Sequence, residues 1–208
     1  MSRTGYKTIG IVVALCVAVA VAAALTLTVR AEELGEVEIG EAMPDFTLVD
    51  HDGEEHTLSE YEGKIVVLDF RCHQCPWVRG ADPDYNETVK KYEEHGVVFL
   101  GIDPHEYVTT EEVQEYNEGA EVVRPVLRDD GHEYADKVGA TRTPEVYIVD
   151  NRDPDDAMKL VYHGAVDDRN APEGEYENNW VAKALDNLLA DEEVENPRVS
   201  AWGCTIKR

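Results

Sequence analysis

The chain has 208 residues and a formal net charge of −25, from 19 Lys and Arg against 44 Asp and Glu. Arg3, Lys7 and Arg30 are the basic residues among the first thirty, where no acidic residue occurs, so residues 31–208 carry −28. A field of that sign excludes nucleic acid, or an anionic membrane surface, as a partner held through a basic patch. It names no partner by itself and reads as a solubility or high-salt adaptation.

Residues 8–29 (TIGIVVALCVAVAVAAALTLTV) are uncharged, and residues 9–29 contain 18 apolar residues out of 21. At about 1.5 Å per residue such a helix crosses a hydrocarbon core of about 30 Å. Arg3 and Lys7 precede it and Glu32, Glu33, Glu36 and Glu38 follow. The positive-inside bias therefore predicts a single-pass anchor at 1–30 with the remainder extracytoplasmic. A cleaved signal peptide is the competing reading, with small residues at 22–24 and at 29–31; it leaves a secreted domain. Both readings export the chain. Cys16 lacks the small residue before it that a lipoprotein cysteine has, and reads as an ordinary thiol.

Residues 31–39 read as an acidic linker and residues 40–208 as one domain of ordinary core size. Phe46 to Val49, Asp52-Gly53 and His56 to Leu58 predict a hairpin. A short helical turn at 59–62 ends at Gly63. Ile65 to Phe70 is a β-branched run suited to a strand buried on both faces. Asp82-Pro83 resembles an N-cap and first helical residue, predicting a helix to about His95. Val97 to Ile102 is a second buried strand. Thr109 and Glu112 have capping-box spacing and open a helix to about Asn117. Pro125 limits residues 122–127 to an edge strand or extended segment. A short helix at 131–138, strands at 145–149 and 159–163, and an amphipathic helix at 178–190 follow. The acidic turn 150–156 lacks the glycine and distal Glu of a Ca²⁺ loop. Crossovers early and a hairpin with a helix late predict an α/β fold, a mixed sheet with helices on both faces.

Cys72-His73-Gln74-Cys75 follows the first buried strand directly. Sites in open α/β sheets gather beyond the carboxyl ends of strands. A helix beginning here aims unpaired N–H groups at the first cysteine and favours its thiolate. Arg71 and His73 flank it and are expected to add positive potential. The i, i+3 spacing lets Cys75 resolve a mixed disulfide on Cys72. With the thiolate so favoured, the couple is expected to be more oxidising than about −270 mV. A structural zinc site needs more ligands than this spacing offers, and Pro76 stands where c-type haem attachment needs His. No cofactor and no metal is expected. Thr141-Arg142-Thr143-Pro144 precedes a strand and, beside an upstream C-x-x-C, gains meaning that it lacks alone.

These residues carry a resemblance. Pro44-Asp45-Phe46, the D-G turn, Leu58-Ser59, Gly63-Lys64, Cys72-His73-Gln74-Cys75-Pro76-Trp77-Val78, Thr143-Pro144 and the tail Trp202-Gly203-Cys204-Thr205-Ile206-Lys207 resemble the redoxin family, the alkyl hydroperoxide reductase/thiol-specific antioxidant and membrane-tethered thioredoxin-like group, over about residues 40–208. The resemblance implies a thioredoxin-like fold and a thiol–disulfide oxidoreductase. It implies Cys72 as nucleophile, Cys75 as resolving thiol, and Thr143 with a cis-Pro144 as the edge that pairs with a substrate chain. The implied partners are a protein or small-molecule disulfide or dithiol and a thiol electron donor, with the membrane held through the N-terminal helix. Asp69 lies near the position of a proton-relaying buried carboxylate, or is a strand-end charge facing water. The Pro-x-x-x-Thr-x-x-Cys segment of the peroxidase branch is absent before Cys72, so a thiol peroxidase is an alternative rather than the first reading. Arg71 replaces the Trp common before this motif. A non-catalytic or metal-delivering module, binding through Cys72, Cys75 and a His, is a further alternative. Cys204 is either a third redox thiol or a packed small residue. His51, His56, His95, His105, His132 and His163 show no ligand spacing. Asn86-Glu87-Thr88 fits a glycosylation sequon.

Overall fold

A computed structural model describes residues 35–208; the apolar segment at 8–29, the expected anchor and Cys16 lie outside the described residues. Among the described residues, no helix is long and apolar enough to cross a membrane.

Strands β1 (Thr47–Asp50), β2 (Glu55–Thr57), β3 (Lys64–Phe70), β4 (Val98–Asp103), β5 (Val126–Arg128), β7 (Glu145–Asn151) and β8 (Lys159–Gly164) form one sheet in the order β2-β1-β5-β4-β3-β7-β8. The central pairs β3·β4 and β4·β5 are parallel, and β3·β7, β7·β8, β1·β2 and β1·β5 are antiparallel. A small second sheet pairs β6 (Arg142–Thr143) with β9 (Cys204–Thr205). The helices are α1 (Pro76–Glu93), α2 (Thr110–Gly119), α3 (Glu133–Val138) and α4 (Trp180–Leu189). The expected mixed sheet with helices on both faces is present.

The alternation of side chains along a strand builds the two cores. From β3, Val66, Leu68 and Phe70 point to one face, where Tyr134, Ala135 and Val138 of α3 cover them together with Met43 and Phe46. Ile65 and Val67 point to the other, under Tyr85, Val89 and Tyr92 of α1 and Val181, Ala184, Leu185 and Leu188 of α4. Buried Val and Leu side chains of this kind each contribute about 1.5–3 kcal/mol. The Thr109–Glu112 capping box is formed at the start of α2, with both of its reciprocal hydrogen bonds.

Three expectations are corrected, and one chance motif is placed. The helix after β3 starts at Pro76, not at Asp82. Pro76 at the first helical position has no N–H to lose, while Pro83 lies inside the helix and Asp82 is buried in ion pairs. Residues 126–128 form an interior strand between β1 and β4, because Pro125 stops just before the ladder and its carbonyl still accepts from Gly101 N. The linker reading fails at its end: Val37 is buried in the core, so packing begins before residue 40. The Asn86 sequon is closed in the folded chain, since Asn86 is buried and its amide donates to the carbonyls of Ala120 and Glu121.

Candidate active site

Register places the site. Phe70, the last residue of β3, pairs with Ile102 on one side and Glu145 on the other. The chain leaving β3 therefore runs between the residues that follow β4 and those that precede β7. Cys72 comes to lie by Asp103 and His105, and the dithiol comes to lie by the Thr143–Pro144 peptide, which is cis.

Cys75 is the N-cap of α1, its N–H donates to Cys72 O at 2.9 Å, and Pro76 opens the helix. No acidic side chain stands in the first turn, so the positive helix end faces the cysteines undiminished. Cys72 and Cys75 are both buried, and Cys72, Cys75 and Cys204 are free thiols. The Cys75 thiol donates to Thr143 O at 3.1 Å and lies 2.7 Å from Cys204 Sγ.

The two residues expected to supply positive charge do not. Neighbours in an extended chain point to opposite faces. Arg71 continues the β3 alternation toward α1, where its Nη2 donates to Asp82 Oδ2 at 2.7 Å. Gly101 leaves room for it: a methyl there would meet Arg71 Cδ at 2.8 Å. Asp82 also pairs with Arg124, which pairs with Asp69 at 2.7 Å, and Tyr116 donates to Asp82 at 2.7 Å. Two arginines and two aspartates thus neutralise one another inside the protein. Asp69 is buried in this set and does not face water. His73 stacks on Tyr116, and burial, outweighing the nearby carboxylates, pushes its imidazole below the usual range.

The group at the site pushed toward its charged form is His105, a residue that sequence spacing passed over. Its Nδ1 lies 2.9 Å from Asp103 Oδ1, and both side chains are buried. Cys72 Sγ, an Asp103 oxygen and a His105 ring nitrogen all lie within 4.8 Å of one another. Burial pulls the imidazole toward neutrality, yet the bond to Asp103 and the Cys72 sulfur outweigh it and raise its pKa to about 9. Tyr107 is half-exposed, and its hydroxyl is pushed well up by partial burial and by the Cys72 sulfur. The signal in the sequence was positional: Asp103-Pro104-His105 leaves the carboxyl end of a strand parallel to β3, as Cys72 does.

On the other flank, Glu145 accepts from Thr141 N and Arg142 N, each at 2.7 Å, and lies 2.6 Å from His163 Nε2. Burial of Glu145 is outweighed by these contacts, which hold its carboxyl below the usual range. They fix the segment entering the cis peptide. Thr143 is paired with Cys204 of β9, so the edge expected to receive a substrate chain carries the protein's own tail.

Cys72, Asp103 and His105 together offer sulfur, oxygen and nitrogen to a metal ion. The same three groups make a thiol, a cation beside it and a carboxylate that orients the cation, which is the arrangement a nucleophilic cysteine needs.

Known proteins are similar to this chain. "Thiol-disulfide oxidoreductase ResA" of Bacillus thuringiensis subsp. konkukian is 30% identical over 114 residues, covering 55% of this chain and 65% of that protein. The chain thus spans just under two thirds of the length of that curated relative. An uncharacterized conserved protein from Geobacillus kaustophilus, 27% identical, superposes with a TM-score of 0.75 over 82% of this chain and 92% of its own. The thioredoxin domain of a thiol-disulfide oxidoreductase from Bacteroides vulgatus, 21% identical, shares the fold, with a TM-score of 0.53 over 62% of this chain and 89% of that one. The model of the AhpC/TSA family matches residues 39–153, more than half of the chain. The chain has a thioredoxin-like fold and belongs to the AhpC/TSA family.

Proposed function

We propose that this protein is a thiol–disulfide oxidoreductase held at the outer side of a membrane by its apolar N-terminal segment. The observation that carries the reading is the dithiol itself: Cys72 and Cys75 stand at the start of α1, beside the cis Thr143–Pro144 peptide, with His105 next to Cys72. The names of the curated relatives support the same chemistry.

In the reductive direction the Cys72 thiolate attacks one sulfur of a substrate disulfide, and the other substrate sulfur leaves as a thiolate. Cys75 then attacks Cys72, the Cys72–substrate bond breaks, and the substrate departs reduced while Cys72–Cys75 is oxidised. The reverse sequence oxidises a dithiol. His105 balances the charge that Cys72 carries when it attacks or leaves, and Asp103 holds the imidazole in place. Arg71 acts on the position of α1 rather than on the sulfur. Substrate pairing along Thr143, against the Pro144 ring, requires the β9 tail to move aside.

A glutathione redox titration tests the reading. A fully reversible Cys72–Cys75 couple more oxidising than about −270 mV is expected, because a reduced form stabilised by His105 and the helix N-terminus raises the potential. A value at or below that figure contradicts the stabilisation of the reduced form, and a Cys72–Cys75 pair that does not cycle at all contradicts the oxidoreductase reading. A Cys72-dependent peroxide turnover with a thiol donor, exceeding dithiol exchange, would favour peroxidase chemistry instead.

A second reading, metal delivery, has one observation behind it, the Cys72–Asp103–His105 cluster. It calls for stoichiometric Cu(I) or Zn²⁺ retained through purification and lost in Cys72→Ser.

A further inference from the structure

We infer that Cys204 is a third redox thiol, which takes over Cys75 from the oxidised Cys72–Cys75 pair and frees Cys72. The inference rests on the exchange chemistry just proposed and goes beyond its two cysteines.

Cys204 is not a stray tail residue. Its sulfur lies 2.7 Å from Cys75 Sγ. Its backbone pairs with Thr143, and Arg142 pairs with Thr205 in the same short ladder. Ile206 is buried, with its N–H donating to Thr141 O at 3.0 Å. Trp202 packs on Trp77 of α1 with ring centroids 5.1 Å apart, and its indole N–H donates to Asp167 O at 2.7 Å. Gly203 has φ +121°, and a Cβ there would stand 2.2 Å from Thr143 O. Only glycine lets the tail approach the cis peptide this closely. The tail is thus fixed on both sides of Cys204, which leaves that sulfur facing Cys75.

The step is an intramolecular thiol–disulfide exchange. In the oxidised pair, Cys204 loses its proton to solvent and its thiolate attacks Cys75 Sγ. The Cys75–Cys204 bond forms, the Cys72–Cys75 bond breaks, and the electron pair passes to Cys72, which leaves as a thiolate beside His105. One disulfide and one thiol are present before and after, so no oxidant or reductant is consumed. Burial and then the hydrogen bond with Cys75 push the Cys204 thiol up to about 11 in the reduced protein. Once Cys75 is in a disulfide it carries no proton and no charge, and that part of the opposition disappears. The oxidised protein then keeps its oxidising equivalent in Cys75–Cys204 while Cys72 is again free to attack.

The experiment uses the full-length protein in a Cys16→Ser background, oxidised with one equivalent of diamide, acid-quenched, alkylated, and digested with trypsin. Cys72 and Cys75 share the peptide 72–79, and Cys204 lies on 199–207. The expected result is a reducible link between the two peptides with Cys72 alkylated. In Cys72→Ser that link should be the main product. In Cys204→Ser the alkylation of Cys72 in the oxidised protein should fall at least several-fold. Full alkylation of Cys204 in oxidised Cys72→Ser, with Cys72 labelling unchanged by Cys204→Ser, overturns the inference. If Cys72–Cys75 forms reversibly while Cys204 never links, the oxidoreductase reading stands and this inference falls. If Cys72–Cys75 does not form even in Cys204→Ser, both fall.

Discussion

Replacing Cys72 with serine should move the titration of His105. Burial works against the charge on this imidazole, yet its neighbours push its pKa from the ordinary 6.5 up to about 9. The groups that overcome burial are Asp103 and Cys72, whose ligating atoms lie within 4.8 Å of the ring. A unit charge at that range in an effective dielectric of ~20 is worth about 3.5 kcal/mol, equivalent to about 2.5 pH units. Cys72→Ser should therefore lower the His105 titration by about 1–2.5 units. The assay is an NMR titration of the His105 Cε1–H, assigned with His105→Gln. Stability follows with a definite sign. A pKa raised on folding contributes stability that is fully present below about 6.5 and lost as pH rises through about 9. A His105 that still titrates at about 9 in Cys72→Ser would show that Asp103 alone holds the charge, and would remove His105 as the partner of the sulfur.

Three further outcomes are expected. Arg71→Leu leaves Asp82 short of one partner in a buried set and should cost about 3 kcal/mol, or about 6–12 °C in Tm for a domain of this size, while changing Cys72 alkylation less than two-fold; calorimetry and iodoacetamide kinetics read the two effects separately. Gly203→Ala forces a Cβ onto Thr143 O at positive φ, so the Cys75–Cys204 cross-link should fall several-fold in peptide mapping, with a stability cost of at least about 1–3 kcal/mol. Glu145→Gln should flatten the acid limb of the stability curve: a carboxyl held below its usual value contributes stability that is present above about 4.5 and lost as pH falls, and urea melts from pH 3 to 6 measure it.

The elements that position the site were legible where periodicity is strong. Ile65 to Phe70 and Val97 to Ile102 read as buried strands because they are, and the D-G hairpin and the Thr109 capping box follow from local chemistry. The helix start was misread because Asp82-Pro83 resembles a cap and first helical residue, whereas the helix already begins at Pro76, directly after the turn at His73–Gln74, and holds Pro83 inside it. The charge at the site was misread for a deeper reason. Sequence adjacency put Arg71 beside Cys72, whereas the pleat turns Arg71 to α1 and the parallel pairing of β3 with β4 brings His105, more than thirty residues away, to the sulfur. The place of Cys204 also depends on long-range pairing, from a two-residue strand too short to show any period.

The most direct measurement is capture of a mixed disulfide. Cys75→Ser removes the resolving thiol, so a Cys72–substrate bond, once formed, should persist. Exposed to proteins carrying accessible disulfides, this variant should accumulate adducts through Cys72 that dithiothreitol releases and that are absent from Cys72→Ser/Cys75→Ser. A Cys75→Ser protein that forms no Cys72-dependent adduct while remaining folded, or whose Cys72 reacts with peroxide alone, would contradict thiol–disulfide exchange as the chemistry of this site.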